Sequence, residues 1–69
     1  MPEVALTRRE TQVLKLLLEG KADKEIAVFL NLSIRTVKFH VSNILAKRGV
    51  STRAELLANE LRGRGNIAR

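Results

Sequence analysis

The sequence predicts an all-α domain of four short helices whose middle two form a helix-turn-helix. Apolar residues recur at helical spacing in four segments, no alternating strand pattern competes with them, and capping and stop signals frame the segments. With 69 residues the chain makes one small domain, able to bury only about 60% of the surface its unfolded form exposes.

The first helix opens at Thr7-Arg8-Arg9-Glu10. Thr7 can accept from the Glu10 amide while the Glu10 carboxylate reaches back to the Thr7 amide, a capping box. Val13, Leu14, Leu17 and Leu18 follow as its buried stripe, and Gly20 offers the left-handed conformation that ends many helices. The second helix, about Asp23 to Leu30, buries Ile26, Ala27 and Leu30 and is too short to persist without tertiary contacts. After it, Asn31 can take positive φ and Ser33 is a good N-cap, so two helices are joined by Asn31-Leu32-Ser33. The small Ala27 lets them approach at a steep angle.

The third helix spans about Ile34 to Arg48 and stops at Gly49. Ile34, Val37, Val41, Ile44 and Leu45 fall on one side and are expected to anchor it. The opposite side is centred on Phe39 with Arg35, Ser42, Asn43 and Ala46. Thr36, His40 and Lys47 lie along one shoulder and Lys38 along the other. The fourth helix begins at a second capping box, Thr52-Arg53-Ala54-Glu55, and is expected to end near Arg62 before Gly63 and Gly65. Ala54, Leu57, Ala58 and Leu61 form one stripe of it and Leu56 lies on another side, a pattern suited to two partners, the core and a second copy of the chain. Residues 1–5 are read as an N-terminal extension, 6–62 as the domain and 63–69 as a frayed tail.

Charge narrows the function. A net charge of +6 favours a polyanionic partner, because cations placed near phosphates release condensed counterions. Between Glu25 and Glu55 there is no acidic residue, while Arg35, Lys38, His40, Lys47, Arg48 and Arg53 all fall there. A helix basic on one side and apolar on the other is suited to lie against phosphate. Phe39, a large aromatic pointing away from the core, needs a cover, and a thymine methyl in the major groove could supply it. Elsewhere Glu10 and Arg53 are expected to pair, since an arginine opening a helix calls for an acidic partner.

Without cysteine and with a single histidine, disulfides, thiolate metal sites and zinc fingers are excluded. No glycine-rich phosphate loop and no facing carboxylates support an enzymatic reading, so no catalytic residue, cofactor or small-molecule ligand is expected. No apolar run approaches the roughly 18 residues of a membrane span, and the N-terminus lacks a signal-peptide layout. The expected location is the cytoplasm, at the nucleoid. The opening methionine favours a stand-alone protein, although an excised domain would look the same; control is expected to come from expression, a partner or, in the second case, a longer parent chain.

Taken together, Leu6-Thr7-Arg8-Arg9-Glu10, Lys24-Glu25-Ile26-Ala27, Ser33 with Thr36-Val37-Lys38-Phe39-His40, and Gly49-Val50 before Arg53 closely resemble the LuxR-type (GerE, NarL/FixJ) helix-turn-helix DNA-binding domain, over about residues 6 to 61. The resemblance implies a bacterial transcription regulator whose third helix enters the major groove and whose fourth pairs two subunits on an inverted repeat. It places Lys38, Phe39 and Ser42 at bases and Lys24, Thr36, His40 and Lys47 at the DNA backbone. The outward face of the third helix adds Arg35 to the base readers and Asn43 to the backbone contacts. Ala54, Leu57, Ala58 and Leu61 become the dimer stripe. Three positions depart from the family pattern: Ala22 where a Ser or Thr cap is common, Arg48 where Leu is usual, and the short Ser42 at a base-reading position.

The expected function is therefore sequence-specific binding of double-stranded DNA by a weak homodimer. The alternative is a protein-interaction module docking on RNA polymerase or another regulator, in the manner of sigma-factor region 4. Salt separates the two, because binding to phosphates falls steeply with ionic strength and a hydrophobic contact need not.

Overall fold

A computed structural model describes residues 5–67, with side chains described for 5–63. The four helices are α1 (Arg8–Leu18), α2 (Asp23–Leu30), α3 (Ile34–Arg48) and α4 (Arg53–Ile67), and no strand occurs among the described residues. The third helix is the hub: α1, α2 and α4 each pack on it, and α1 also touches α2.

Local chemistry starts and stops these helices much as the residues suggest. The Thr7 hydroxyl accepts from Glu10 N–H at 3.1 Å and Glu10 Oε1 accepts from Thr7 N–H at 2.9 Å. At α4, Thr52 and Glu55 repeat the exchange at 3.1 and 3.2 Å. Ser33 caps α3 by accepting from Thr36 N–H at 3.0 Å. At α2 only half the box exists: Glu25 accepts from Ala22 N–H at 2.8 Å, but Ala22 has no side-chain oxygen to return the bond.

The first three helices end alike. Gly20 (φ 86°), Asn31 (φ 58°) and Gly49 (φ 69°) are left-handed. In each case the next amide reaches back across the last turn: Lys21 to Leu16 O at 3.0 Å, Leu32 to Ala27 O at 2.8 Å, and Val50 to Leu45 O at 3.1 Å. A Cβ added at Gly49 would meet nothing within 4 Å, so Gly49→Ala tests backbone conformation alone. It is expected to cost about 1–2 kcal/mol, read as a lowered midpoint in urea with an unchanged slope.

The core comprises Val13, Leu14, Leu16 and Leu17 of α1, Ile26 and Ala27 of α2, Val37, Val41 and Ile44 of α3, and Leu56 of α4. Leu18, Leu30 and Leu45 pack at its margin. Two expectations change here. Ile34 is 43% exposed: it is the first residue of α3, and the core stripe begins one turn later, at Val37. The fourth helix does not end near Arg62 but continues to Ile67. Gly63 keeps a φ outside the left-handed region, so it weakens the helix by about 1 kcal/mol relative to alanine without turning the chain. The expected frayed tail is helical from 63 to 67, and residues 68–69, like 1–4 of the expected extension, lie outside the described residues.

Candidate nucleic-acid interface

Anchoring one side of α3 determines what the other side presents. With Val37, Val41 and Ile44 buried, Arg35, Lys38, Phe39, Ser42 and Ala46 are exposed, and Thr36, His40, Asn43 and Lys47 form a half-buried strip beside them. The four residues expected to read bases thus share one open face, and four of the five expected backbone contacts line its border. The fifth, Lys24, is exposed in the first turn of α2.

Phe39 is 62% exposed and its ring meets His40 edge-on, with centroids 5.8 Å apart. Nothing else among the described aromatic rings stacks on it. Neither Arg35 nor Lys38 has a carboxylate within 4 Å among the described residues. Their charges are therefore available to an external anion. The buried Nδ1 of His40 has no hydrogen-bond partner among the described residues. Thr36 Oγ1 accepts from the Ser33 hydroxyl at 2.9 Å, fixing the first turn of the helix.

Lys47 differs from the other cations. Its Nζ stands 2.6 Å from Glu10 Oε1 and also donates to Ala5 O at 3.4 Å. Two of its three donors are thus used inside the domain, leaving one for a phosphate. Glu10 is the buried charged residue of the core. The Lys47 ammonium, and after it the Thr7 amide, hold its carboxyl below the usual value of 4.5 against the opposing effect of burial.

This overturns the expected Glu10–Arg53 pair. Arg53 instead meets Asp23 at the start of α2, with NH1 2.8 Å from Oδ1 and NH2 donating to Oδ2 at 3.2 Å. Both arrangements satisfy electrostatics, and helix packing selects between them: α1 lies on α3, which brings Glu10 to Lys47 rather than to the beginning of α4. Arg48 is also occupied, its Nε 3.1 Å from Glu60 Oε2 on α4. The cations of the acid-free stretch therefore divide by role. Lys47, Arg48 and Arg53 tie helices together, whereas Arg35 and Lys38 face outward.

On α4, Leu56 is fully buried and Leu57 half-buried against the core, while Ala54, Ala58 and Leu61 are exposed, Leu61 at 59%. Sequence reasoning overlooked a second apolar surface, Val28 and Phe29 on α2. The signal was the unbroken run Ile26-Ala27-Val28-Phe29-Leu30, more apolar surface than one side of a two-turn helix can bury. No group of residues able to hold a metal ion occurs among the described residues. No described helix is long and apolar enough to cross a membrane.

Comparison with known proteins agrees with this geometry. Residues 4–58 match the family described as bacterial regulatory proteins, luxR family. Spore germination protein GerE of Bacillus subtilis (strain 168) is 44% identical over 57 residues, covering 83% of this chain and 77% of GerE. The transcriptional regulatory protein LiaR of the same organism is 47% identical over 55 residues, 80% of this chain but only 26% of LiaR. The crystal structure of response regulator ChrA, of a heme-sensing two component system, matches with a TM-score of 0.80 at 33% identity, covering 93% of this chain and 32% of that one. The chain thus spans about a quarter of LiaR, a third of ChrA and three-quarters of GerE. A family match over most of the chain, with the same four-helix architecture, shows that it belongs to the luxR family of bacterial regulatory proteins, DNA-binding transcription regulators and not enzymes.

Proposed function

We propose that the domain reads double-stranded DNA sequence through α3 and does so as a weak homodimer on an inverted repeat. The observation that carries this reading is the open face of α3. Two cations with no carboxylate partner among the described residues, Arg35 and Lys38, flank an exposed Phe39 on a helix whose other side is fixed in the core. In a major groove Lys38 can donate to guanine O6 and N7, Phe39 can cover a thymine methyl, and Arg35 and Ser42 supply donors on either side. Lys24, Thr36, His40, Asn43 and the remaining donor of Lys47 would meet phosphates and set the register. The exposed Ala54, Ala58 and Leu61, with the half-buried Leu57, would pair two copies and space their recognition helices about 34 Å apart.

Salt dependence tests the backbone assignment. Lys24→Ala is expected to weaken binding to every duplex alike and to reduce the slope of log K against log salt by about one. An unchanged slope would remove Lys24 from the phosphate contacts. A second reading, docking on RNA polymerase or another regulator, draws on the exposed Val28 and Phe29. It is compatible with the first because those residues lie on α2, off the face that α3 presents.

A further inference from the structure

Val28 and Phe29 are 78% and 74% exposed, the two most exposed large apolar side chains of the described residues. In water such a pair is unfavourable, and adjacent apolar surface of this kind marks contact sites. It also belongs to a shaped surface. Leu16 of α1 and Phe29 of α2 are shared by two adjoining hollows, one of about 380 Å³ reaching Lys21, Lys24 and Val28, the other of about 280 Å³ reaching Lys15 and Leu30. No residue lining either hollow comes from α3 or α4.

Charge indicates the occupant. Lys15, Lys21 and Lys24 rim the groove, and none has a carboxylate within 4 Å among the described residues. Two carboxylates also line it, Glu19 after α1 and Glu25, whose Oε1 accepts from Ala22 N–H at 2.8 Å, so the lysines leave the groove with a net positive charge of one. An apolar floor with a net positive rim suits neither bare phosphate backbone, which gains nothing from Val28 and Phe29, nor a basic segment, which the excess of lysine disfavours.

We propose that the groove between α1 and α2 docks a segment of a partner protein carrying an apolar anchor flanked by carboxylates. The proposal deepens the protein-docking reading above and leaves α3 free; Lys24, at the rim of the groove, is the one residue that it shares with the proposed DNA contacts.

The test titrates the full 69-residue chain, labelled with ¹⁵N and free of DNA, with short synthetic peptides. All carry the same apolar anchors, flanked by aspartate and glutamate, by lysine, or by serine. Saturable amide shifts confined to α1 and α2, largest with the acidic peptide, are expected. Phe29→Ser, an exposed position whose substitution should leave the melting temperature unchanged, is expected to weaken the acidic peptide about tenfold or more. Its DNA affinity should remain within about twofold of the parent. Absence of saturable shifts with the acidic peptide, equal shifts with the lysine peptide, or unchanged binding by Phe29→Ser would overturn the proposal. Because DNA is absent from the titration, a failure of DNA reading by α3 leaves these results intact, and the reverse also holds.

Discussion

Replacing Lys47 with methionine is expected to destabilise the domain by about 1.5–3 kcal/mol, the range for a hydrogen bond to a charged group together with the desolvated partner left behind. The side chain keeps its length and apolar stem but loses the ammonium 2.6 Å from Glu10 Oε1. The buried carboxylate would then rely on the Thr7 amide alone. A domain of this size holds only about 3–5 kcal/mol in total, so the loss should lower the melting temperature by about 10 °C or more. Differential scanning calorimetry at neutral pH measures it directly.

The same pair makes stability depend on pH in a definite direction. Folding lowers the pKa of Glu10 from 4.5, first through Lys47 and then through the Thr7 amide. On acidification the unfolded chain therefore takes up the proton before the folded chain does. The pair's contribution is complete above about 4.5 and is lost as pH falls through the lower, folded-state value. The stability difference between the parent and Lys47→Met should accordingly shrink over that acidic range. A difference that stays constant to pH 2 or so would mean that lost packing, not the ion pair, causes the destabilisation.

Replacing Lys38 with alanine is expected to leave the fold intact and change recognition. Lys38 is exposed and has no carboxylate within 4 Å among the described residues, so its removal leaves no internal group unpaired. On the preferred duplex the loss should be about 1–3 kcal/mol, with relaxed base choice at one position of each half-site. Random duplex should lose much less. The contrast with Lys47 is instructive, since the latter's effect on DNA is expected to be mixed with its effect on folding. Measuring melting temperature beside affinity separates the two. Equal losses on preferred and random duplex for Lys38→Ala would make it a phosphate contact rather than a base reader.

What could be read directly from the residues was local chemistry. The boxes at Thr7 and Thr52, the serine cap at Ser33 and the left-handed stops at Gly20, Asn31 and Gly49 each depend on groups within a few positions of one another. The exposed face of α3 was legible for a related reason: periodicity alone separates Val37, Val41 and Ile44 from Arg35, Phe39 and Ser42. Partners reached across the fold were not. Glu10 has the right charge for Arg53 or for Lys47, and only the packing of α1 on α3 chooses Lys47. One sequence clue did exist, because Glu10 continues the stripe of Val13, Leu14 and Leu17 and a carboxylate in that line must be buried with a cation. Ile34 was misplaced because periodicity does not reveal where a stripe outruns the core. The length of α4 was misjudged because a glycine permits a helix to stop without requiring it.

The division among cations also clarifies why a basic stretch is a poor guide by itself. Of the three ion pairs among the described residues, each joins separate helices, through Lys47, Arg48 and Arg53. These fix the relative placement of α1, α2, α3 and α4, and so hold steady the face that carries Arg35, Lys38 and Phe39. Charge thus serves the candidate interface twice, once by facing outward and once by keeping the recognition helix in place.

Selection of binding sites from random duplex DNA at near-physiological salt, followed by sequencing of the retained pool, tests sequence reading by α3 most directly. The expected pool is enriched in an inverted repeat whose half-site centres lie about ten base pairs apart, and the same selection with Lys38→Ala should blur one position in each half-site. A retained pool with no enriched sequence, or no retention at all, would contradict it.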